Sequence, residues 1–335
     1  MGGISIDYNP FLLVFHITGK CNLNCKYCYA SPYDAINLED EKIKHILFDA
    51  LNLGTKHVIL SGGEPFLHPG IYGLIKYANN IGLKIHITSN GTLIDDTNVE
   101  FLKSVDAMVT ISLDGSCAEI NDPIRGKGSY ESAINAIDEL VDANVPTSMR
   151  MTLIKDNLHD VENYIKLALD KDVDRCIIER VTAIDEIPQS RKLEPSYSDL
   201  YETFKLMFSY KNENELNIGS NDPLWLLFNE DIIKKHTKTD HICGGCTAGV
   251  ASITINPDLK ITPCPRLPVT AGDLNENSFE DIWFNSNVLQ DLRNRDLFKG
   301  CSKCSYKYIC GGCRGAAYAH DSYLGKDPQC WRINE

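Results

Sequence analysis

The sequence contains no run of the roughly 18 consecutive apolar residues that a membrane-spanning helix needs, so no transmembrane segment and no membrane partner are expected. Nor is a secretory leader expected of this sequence. Its start, MGGISIDYNPFLLVFHITGK, has neither the basic opening nor the small-residue cleavage site of a signal peptide. The apolar run within it, FLLVF, is short and reads as a buried strand. The chain is therefore expected to stay in the cytoplasm. Basic charge is scarce as well: 33 Lys and Arg stand against 46 Asp and Glu, a net charge of −13. A nucleic-acid backbone needs a basic footprint, so no nucleic acid is expected as partner. There is no internal repeat and no low-complexity tract, and none of the nine histidines pairs at metal-ligand spacing. His16, on the first strand, is expected in the core or behind a metal site.

What the sequence has in quantity is cysteine. There are 13, at 21, 25, 28, 117, 176, 243, 246, 264, 301, 304, 310, 313 and 330. An odd number in a chain without a leader argues against a disulfide framework. The cysteines are clustered, three near the N-terminus and eight toward the C-terminus. In a reducing compartment such clustering reads as metal ligation. Cys176 sits in an apolar strand and is expected in the core, with hydrogen donation to a substrate radical as the less favoured role. Cys117 follows a turn and is expected to be incidental.

From residue 11 to about 210 strands alternate with helices. Apolar runs rich in Val, Ile and Thr predict strands at Phe11–Thr18, His57–Gly62, Leu83–Ser89, Ala107–Leu113, Pro146–Leu153 and Arg175–Val181. Apolar residues at i, i+3 and i+4 predict helices at Glu39–Leu53, Ser129–Asp142 and Val161–Leu169. Six such units imply a parallel sheet with right-handed crossovers, an α/β fold. Eight would close a TIM barrel, whereas six leave a partial, open one. The expected organisation is a core over 1–210 ending in a helix at 196–210, a polar bridge over 211–240, and a cysteine-rich domain over 241–335. The last looks thin in apolar residues and is expected to be held together by metal.

The first cysteine group, Cys21-x3-Cys25-x2-Cys28, follows directly on the first strand, where parallel α/β folds place their chemistry. Three close thiolates suit a four-iron cubane with one iron left without a protein ligand, an open position for a cofactor. On spacing alone a zinc site completed by a distant residue is the competing reading. The motifs at the next three strand ends decide between them. These are Ser61-Gly62-Gly63-Glu64-Pro65, Thr88-Ser89-Asn90-Gly91-Thr92 and Ser112-Leu113-Asp114-Gly115. With CxxxCxxC and the aromatic Tyr27 before its last cysteine, they resemble the radical S-adenosylmethionine (SAM) superfamily.

The resemblance implies a cluster on Cys21, Cys25 and Cys28 whose unique iron binds the amino and carboxylate groups of SAM. It implies reductive cleavage to methionine and a 5′-deoxyadenosyl radical, and hydrogen abstraction from a substrate. Gly62, Gly63, Glu64 and Pro65 are then expected to hold the SAM amino group, with Ser89, Asn90, Ser112 and Asp114 lining its pocket. Arg125, in DPIRGKG, is expected either to meet the SAM carboxylate or the substrate, or to brace its loop. Arg150, in the fifth strand, is expected either at the SAM carboxylate or in a buried ion pair.

The second group runs Cys243-x2-Cys246-x17-Cys264, then Cys301-x2-Cys304-x5-Cys310-x2-Cys313-x16-Cys330. Eight cysteines make two sets of four, enough for two closed [4Fe–4S] clusters. Read alone, the CxxC pairs would also suit structural zinc. The pattern, with the tail CGGCRGAAYAHDSYLGKDPQCW, is similar to the SPASM domain of maturases for sulfatases, pyrroloquinoline quinone and mycofactocin. That resemblance implies crossed ligation. One auxiliary cluster takes Cys243, Cys246, Cys264 and Cys313, and the other takes Cys301, Cys304, Cys310 and Cys330. The chain departs from the family at Asp258-Leu259-Lys260, where Asp-Gly is usual. The fold implied is a partial (β/α)6 TIM-type barrel with a C-terminal SPASM domain, and the cofactors are three [4Fe–4S] clusters and SAM. A reducing partner such as ferredoxin or flavodoxin is expected. The expected substrate is a peptide or protein, with a tetrapyrrole of the anaerobic haem pathway or another small molecule as alternatives. Peptide-acting members often carry an N-terminal recognition domain of about 80 residues, and only ten residues precede the first predicted strand here.

Overall fold

A computed structural model describes residues 8–30, 33, 36–184, 187, 190–236 and 239–332. The barrel begins β1 (Leu12–Thr18), α1 (Asp40–Asn52), β2 (His57–Gly62), α2 (Ile71–Asn80), β3 (Lys84–Ser89), α3 (Asp96–Ser104) and β4 (Met108–Ser112). It continues α4 (Ala118–Arg125), α5 (Ser129–Asp142), β5 (Thr147–Leu153), α6 (Val161–Asp170), β6 (Arg175–Arg180), α7 (Ser190–Leu193) and α8 (Tyr197–Glu213). Then come β7 (Asn217–Gly219), α9 (Glu230–His236), β8 (Ser252–Ile255), β9 (Lys260–Thr262), β10 (Gly272–Asp273), α10 (Phe279–Asn285), α11 (Asn287–Arg293) and α12 (Arg314–His320).

Strands β1 to β7 pair in parallel, in order. Nearly all their side chains are buried or half-buried, as expected of strands covered on both faces; Leu13, Phe15, Ile17, Val58, Leu60 and Ile87 are all in the core. Helices α5 and α6 turn stripes of Ala, Ile, Leu and Val onto the sheet. Local chemistry sets several boundaries: the Asp95 carboxylate accepts the Asn98 N–H at 2.9 Å to start α3, and Ser196 and Asp199 form a capping box at α8.

The sheet does not close. It has ten strands in the order β10-β9-β8-β1-β2-β3-β4-β5-β6-β7. The segment expected as a polar bridge contributes β7, which pairs with β6 from Arg175↔Asn217. Residues 237–238 of that bridge lie outside the described residues. The cysteine-rich segment joins the same sheet, because β8 lies parallel to β1 with Leu12 opposite Ser252. Nor is it without a core. Ile253, Ile255, Phe279, Ile282 and Trp283 pack into the barrel cluster, and Leu267, Leu292 and Phe298 form a satellite.

Candidate functional site

The loop after β1 carries Cys21, Cys25 and Cys28 and is fastened by the next strand end. Gly63 N–H donates to Thr18 O at 2.8 Å and Glu64 N–H to Lys20 O at 2.7 Å. Such close backbone contact requires glycine. A Cβ on Gly62 would stand 2.1 Å from Thr18 O, at a φ of +129°, and one on Gly63 would stand 2.1 Å from Lys20 O. From the far side Lys26 N–H donates to Ile124 O at 3.0 Å. The Asn90 amide donates to Cys21 Sγ at 3.8 Å and to Asn22 Oδ1 at 2.9 Å.

The three cysteines open on a chamber of about 960 Å³ at the C-terminal ends of the strands. Of the residues singled out in the sequence, Tyr27, Gly62, Gly63, Ser89, Asn90, Ser112, Arg125 and Arg150 line it. Glu64, Pro65 and Asp114 stand behind its wall. The Glu64 carboxylate is fully buried and accepts the Ser89 hydroxyl at 2.9 Å and the Asn90 N–H at 2.8 Å. Burial pushes it up to about 7, against the pull of those two hydrogen bonds. Glu64 thus positions the Ser89–Asn90 edge of the chamber. Pro65 opens the short turn Pro65–Leu67. Asp114 is consumed by its neighbours: Oδ1 accepts Thr152 N–H at 2.8 Å and Oδ2 accepts Arg125 Nη1 at 2.9 Å. Tyr27 OH bonds the same Oδ2 and accepts from Arg125 Nη1 at 3.0 Å. Arg125 therefore braces its loop while it borders the chamber. Arg150 lies 3.9 Å from Glu179.

Sequence reasoning passed over the far wall of this chamber. Glu179, Arg180, Thr182 and Arg266 line it, and Arg266 Nη1 lies 3.7 Å from Glu179. The charged pair after the apolar Cys176–Ile178 run of β6 was the available signal for Glu179 and Arg180; Arg266, two residues past Cys264, carried none. Arg180 is completely buried. Its Nε faces Asp222 Oδ2 at 2.6 Å, its Nη1 donates to Asp327 Oδ1 at 2.9 Å and its Nη2 to Asp327 Oδ2 at 2.5 Å. Asp327 Oδ2 in turn accepts the Cys313 N–H at 2.8 Å. A barrel strand, the segment before α9 and the C-terminal tail thus meet in one buried network.

Cys301, Cys304, Cys310 and Cys330 line a second pocket, of about 460 Å³. Cys246 and Cys313 each lie within electrostatic reach of Cys264. Cys243 N–H donates to Tyr308 O, and Cys246 N–H to Cys310 O, both at 3.0 Å. All thirteen thiols are free. Among the described residues no three His, Cys, Asp or Glu side chains converge as ligands of a single ion do; Cys21, Cys25 and Cys28, and likewise Cys301, Cys304, Cys310 and Cys330, border cavities, a donor set that fits a space-filling iron–sulfur cluster. Burial pushes the Cys25 and Cys264 thiols up to about 11 each, so their thiolates require a bound cation's charge. Cys176 is wholly in the core, pushed up to about 12 by burial, and does not border the chamber. Cys117 precedes α4 and is partly exposed. His16 is buried, bonded to Asn256 Oδ1 at 3.1 Å and stacked on Tyr29 at 5.4 Å.

No helix among the described residues is long and apolar enough to cross a membrane. The chain is 28% identical to the AdoMet-dependent heme synthase of Methanosarcina barkeri, covering 98% of each chain. It is 25% identical to the mycofactocin maturase MftC of Mycolicibacterium smegmatis, covering 96% of this chain and 82% of that one. Its fold matches that of Streptococcus suis SuiB bound to precursor peptide SuiA, with a TM-score of 0.80 at 20% identity, over 97% of this chain and 76% of the other. The radical SAM superfamily model matches residues 15–168, which carry the first cysteine loop and four of the strands around the chamber. The SPASM model, an iron–sulfur cluster-binding domain, matches residues 246–305. With a three-cysteine loop at a parallel-sheet chamber and a second cysteine field fastened to its wall, this chain belongs to the radical SAM superfamily, in its SPASM-bearing branch.

Proposed function

We propose that this enzyme abstracts a hydrogen atom from a peptide or protein substrate lying between the SAM site and the nearer auxiliary cluster. The observation that carries this reading is the chamber. It runs unbroken from Cys21, Cys25 and Cys28 to Arg266, beside Cys264. When bound, an iron–sulfur cluster on the first three cysteines supplies the electron that splits SAM into methionine and the 5′-deoxyadenosyl radical. Gly62, Gly63, Ser89, Asn90 and Ser112 form the SAM side, with Glu64 fixing the Ser89–Asn90 edge from behind. Arg150 and Arg266, flanking Glu179, bind and orient anionic groups of the occupants. Three [4Fe–4S] clusters are held, the two auxiliary ones by the crossed sets given above, within a SPASM domain over 241–335. A low-potential ferredoxin or flavodoxin supplies electrons. Thirteen free thiols fit a reducing, cytoplasmic setting.

A second reading, oxidative decarboxylation of a tetrapyrrole side chain, is favoured by the heme synthase relative, which spans 98% of each chain. The test is anaerobic turnover with labelled substrates. Incubation with a candidate precursor peptide should raise 5′-deoxyadenosine above the substrate-free rate and carry substrate deuterium into it. Stimulation by an iron tetrapyrrole alone, with loss of carbon dioxide, would overturn the peptide reading. Bound zinc in place of about twelve irons, four per cluster, would overturn both.

A further inference from the structure

We infer that the surface around Cys301, Cys304, Cys310 and Cys330 is the docking face for an acidic one-electron carrier protein. The inference rests on the reading that these four cysteines hold a cluster. Three cations, Lys307, Lys326 and Arg332, stand at their pocket. Lys299 and Lys303 are exposed beside it. The carboxylate that lines the pocket, Asp327, is buried and committed to Arg180.

Two exposed carboxylates offset part of this charge. Lys299 lies 3.6 Å from Asp321, and Lys307 is paired with Asp296. Neither Lys303 nor Lys326 has a carboxylate partner among the described residues, and both are exposed, the Lys326 stem lying over Gly300. Arg332 lies over the Tyr306 ring at 4.4 Å and Lys307 over the Tyr308 ring at 5.0 Å, so two of the cations are held in place on aromatic faces. Among the described residues, four lysines at and beside the pocket stand against the exposed Asp296 and Asp321, which leaves this face locally positive on a chain whose net charge is −13.

The sign reversal selects the partner. An acidic protein is repelled by most of this surface and drawn to one face, so the field both accelerates encounter and orients it. Redox encounters bury little surface and rely on charge rather than on an apolar core. The features present are those such a contact uses: exposed lysines, tyrosine rings carrying cations and a cysteine pocket at the centre. Each encounter transfers one electron. The carrier would be oxidised by one electron, a cluster held by these four cysteines would be reduced by one, and no bond would be made or broken.

The test measures reduction of the reconstituted protein by stopped-flow bleaching of its cluster absorbance, with reduced flavodoxin and, separately, dithionite as donor. Binding of oxidised flavodoxin is measured alongside. Lys303→Glu/Lys326→Glu should lower the flavodoxin rate constant and affinity at least ~tenfold at low salt and leave the dithionite rate unchanged. Lys303→Gln/Lys326→Gln should show a smaller loss in the same direction with parental iron content, which keeps the test open if the double reversal is unstable. Raising salt should abolish most of the difference. Lys76→Glu/Lys103→Glu changes net charge equally on exposed lysines of α2 and α3 and should do much less. The docking reading is overturned if that control slows reduction as much. It is also overturned if the patch variants keep the parental rate, or if they weaken binding of a substrate peptide instead. Loss of the iron from the parent protein would refute the cluster reading itself, a separate outcome.

Discussion

Replacing Arg180 by Met should lower the melting temperature by about 4–7 °C. Arg180 is wholly buried between Asp222 and Asp327, which are themselves 1% exposed. Methionine is close in volume and fills the space, so the cost is electrostatic. Removing one member of a buried ionic group costs about 3–5 kcal/mol, because the charges left behind lose their partner without regaining water. Unfolding entropy of about 2.1 cal/mol/K per residue gives about 0.7 kcal/mol/K for 335 residues, hence the shift quoted. The triple replacement Arg180→Met/Asp222→Asn/Asp327→Asn should recover part of it, since it strands no charge. Asp327 also accepts the Cys313 N–H, so the single variant should show a broadened auxiliary-cluster EPR signal while iron remains bound. Differential scanning calorimetry of the anaerobic protein supplies the numbers. A shift under 1–2 °C would mean that the network is hydrated or dispensable, and a triple variant less stable than the single one would refute the stranded-charge argument.

Changing Cys21, Cys25 and Cys28 together to Ala should abolish 5′-deoxyadenosine formation and leave about eight irons in the C-terminal segment; cleavage at the parental rate would dismiss the assigned site. Cys313→Ala should lose about four irons and melt earlier, since metal binding and folding are linked in such segments, while substrate-free SAM cleavage persists. Unchanged iron and melting temperature would remove Cys313 from the ligand set. Glu64→Gln should flatten one part of the stability–pH curve. Burial raises the folded carboxyl from its ordinary 4.5 to about 7, so between those values the folded state holds the proton more tightly than the unfolded one. The parent should therefore lose about 3 kcal/mol relative to the variant as pH rises from roughly 4.5 to 7, with no further change above. A parallel pair of denaturation curves across that window would contradict it.

Much of the barrel is legible in the sequence because its signals are local. Strand β2 and helix α5 fall on the predicted residues, and the other five predicted strands are shorter by one or two residues at their ends. The cysteine loop and the small polar motifs sit at strand ends because parallel sheets put loops there. What periodicity misses is non-local. Strands β7, β9 and β10 are two or three residues long, too short for an alternating pattern, and exist because a longer strand lies alongside. The partners of Arg180 are 42 and 147 residues away in the chain, and no window spans that distance. Asp114 and Glu64 read as cofactor-facing groups, yet buried backbone donors claim their oxygens first.

The parallel pairing of β1 with β8 also governs how the chain is made. Leu12 and Ser252 are 240 residues apart, so one edge of β1 stays unpaired during synthesis until Ser252–Ile255 leaves the ribosome. At about 5–20 residues per second that interval lasts roughly 12–50 s. Throughout it the nascent chain presents a strand edge flanked by Leu12, Val14 and Phe15, open to pairing with another chain. Pairings this distant in sequence form late. The chain's yield in a cell should accordingly depend on chaperones that cover this edge, independently of how stable the finished fold is.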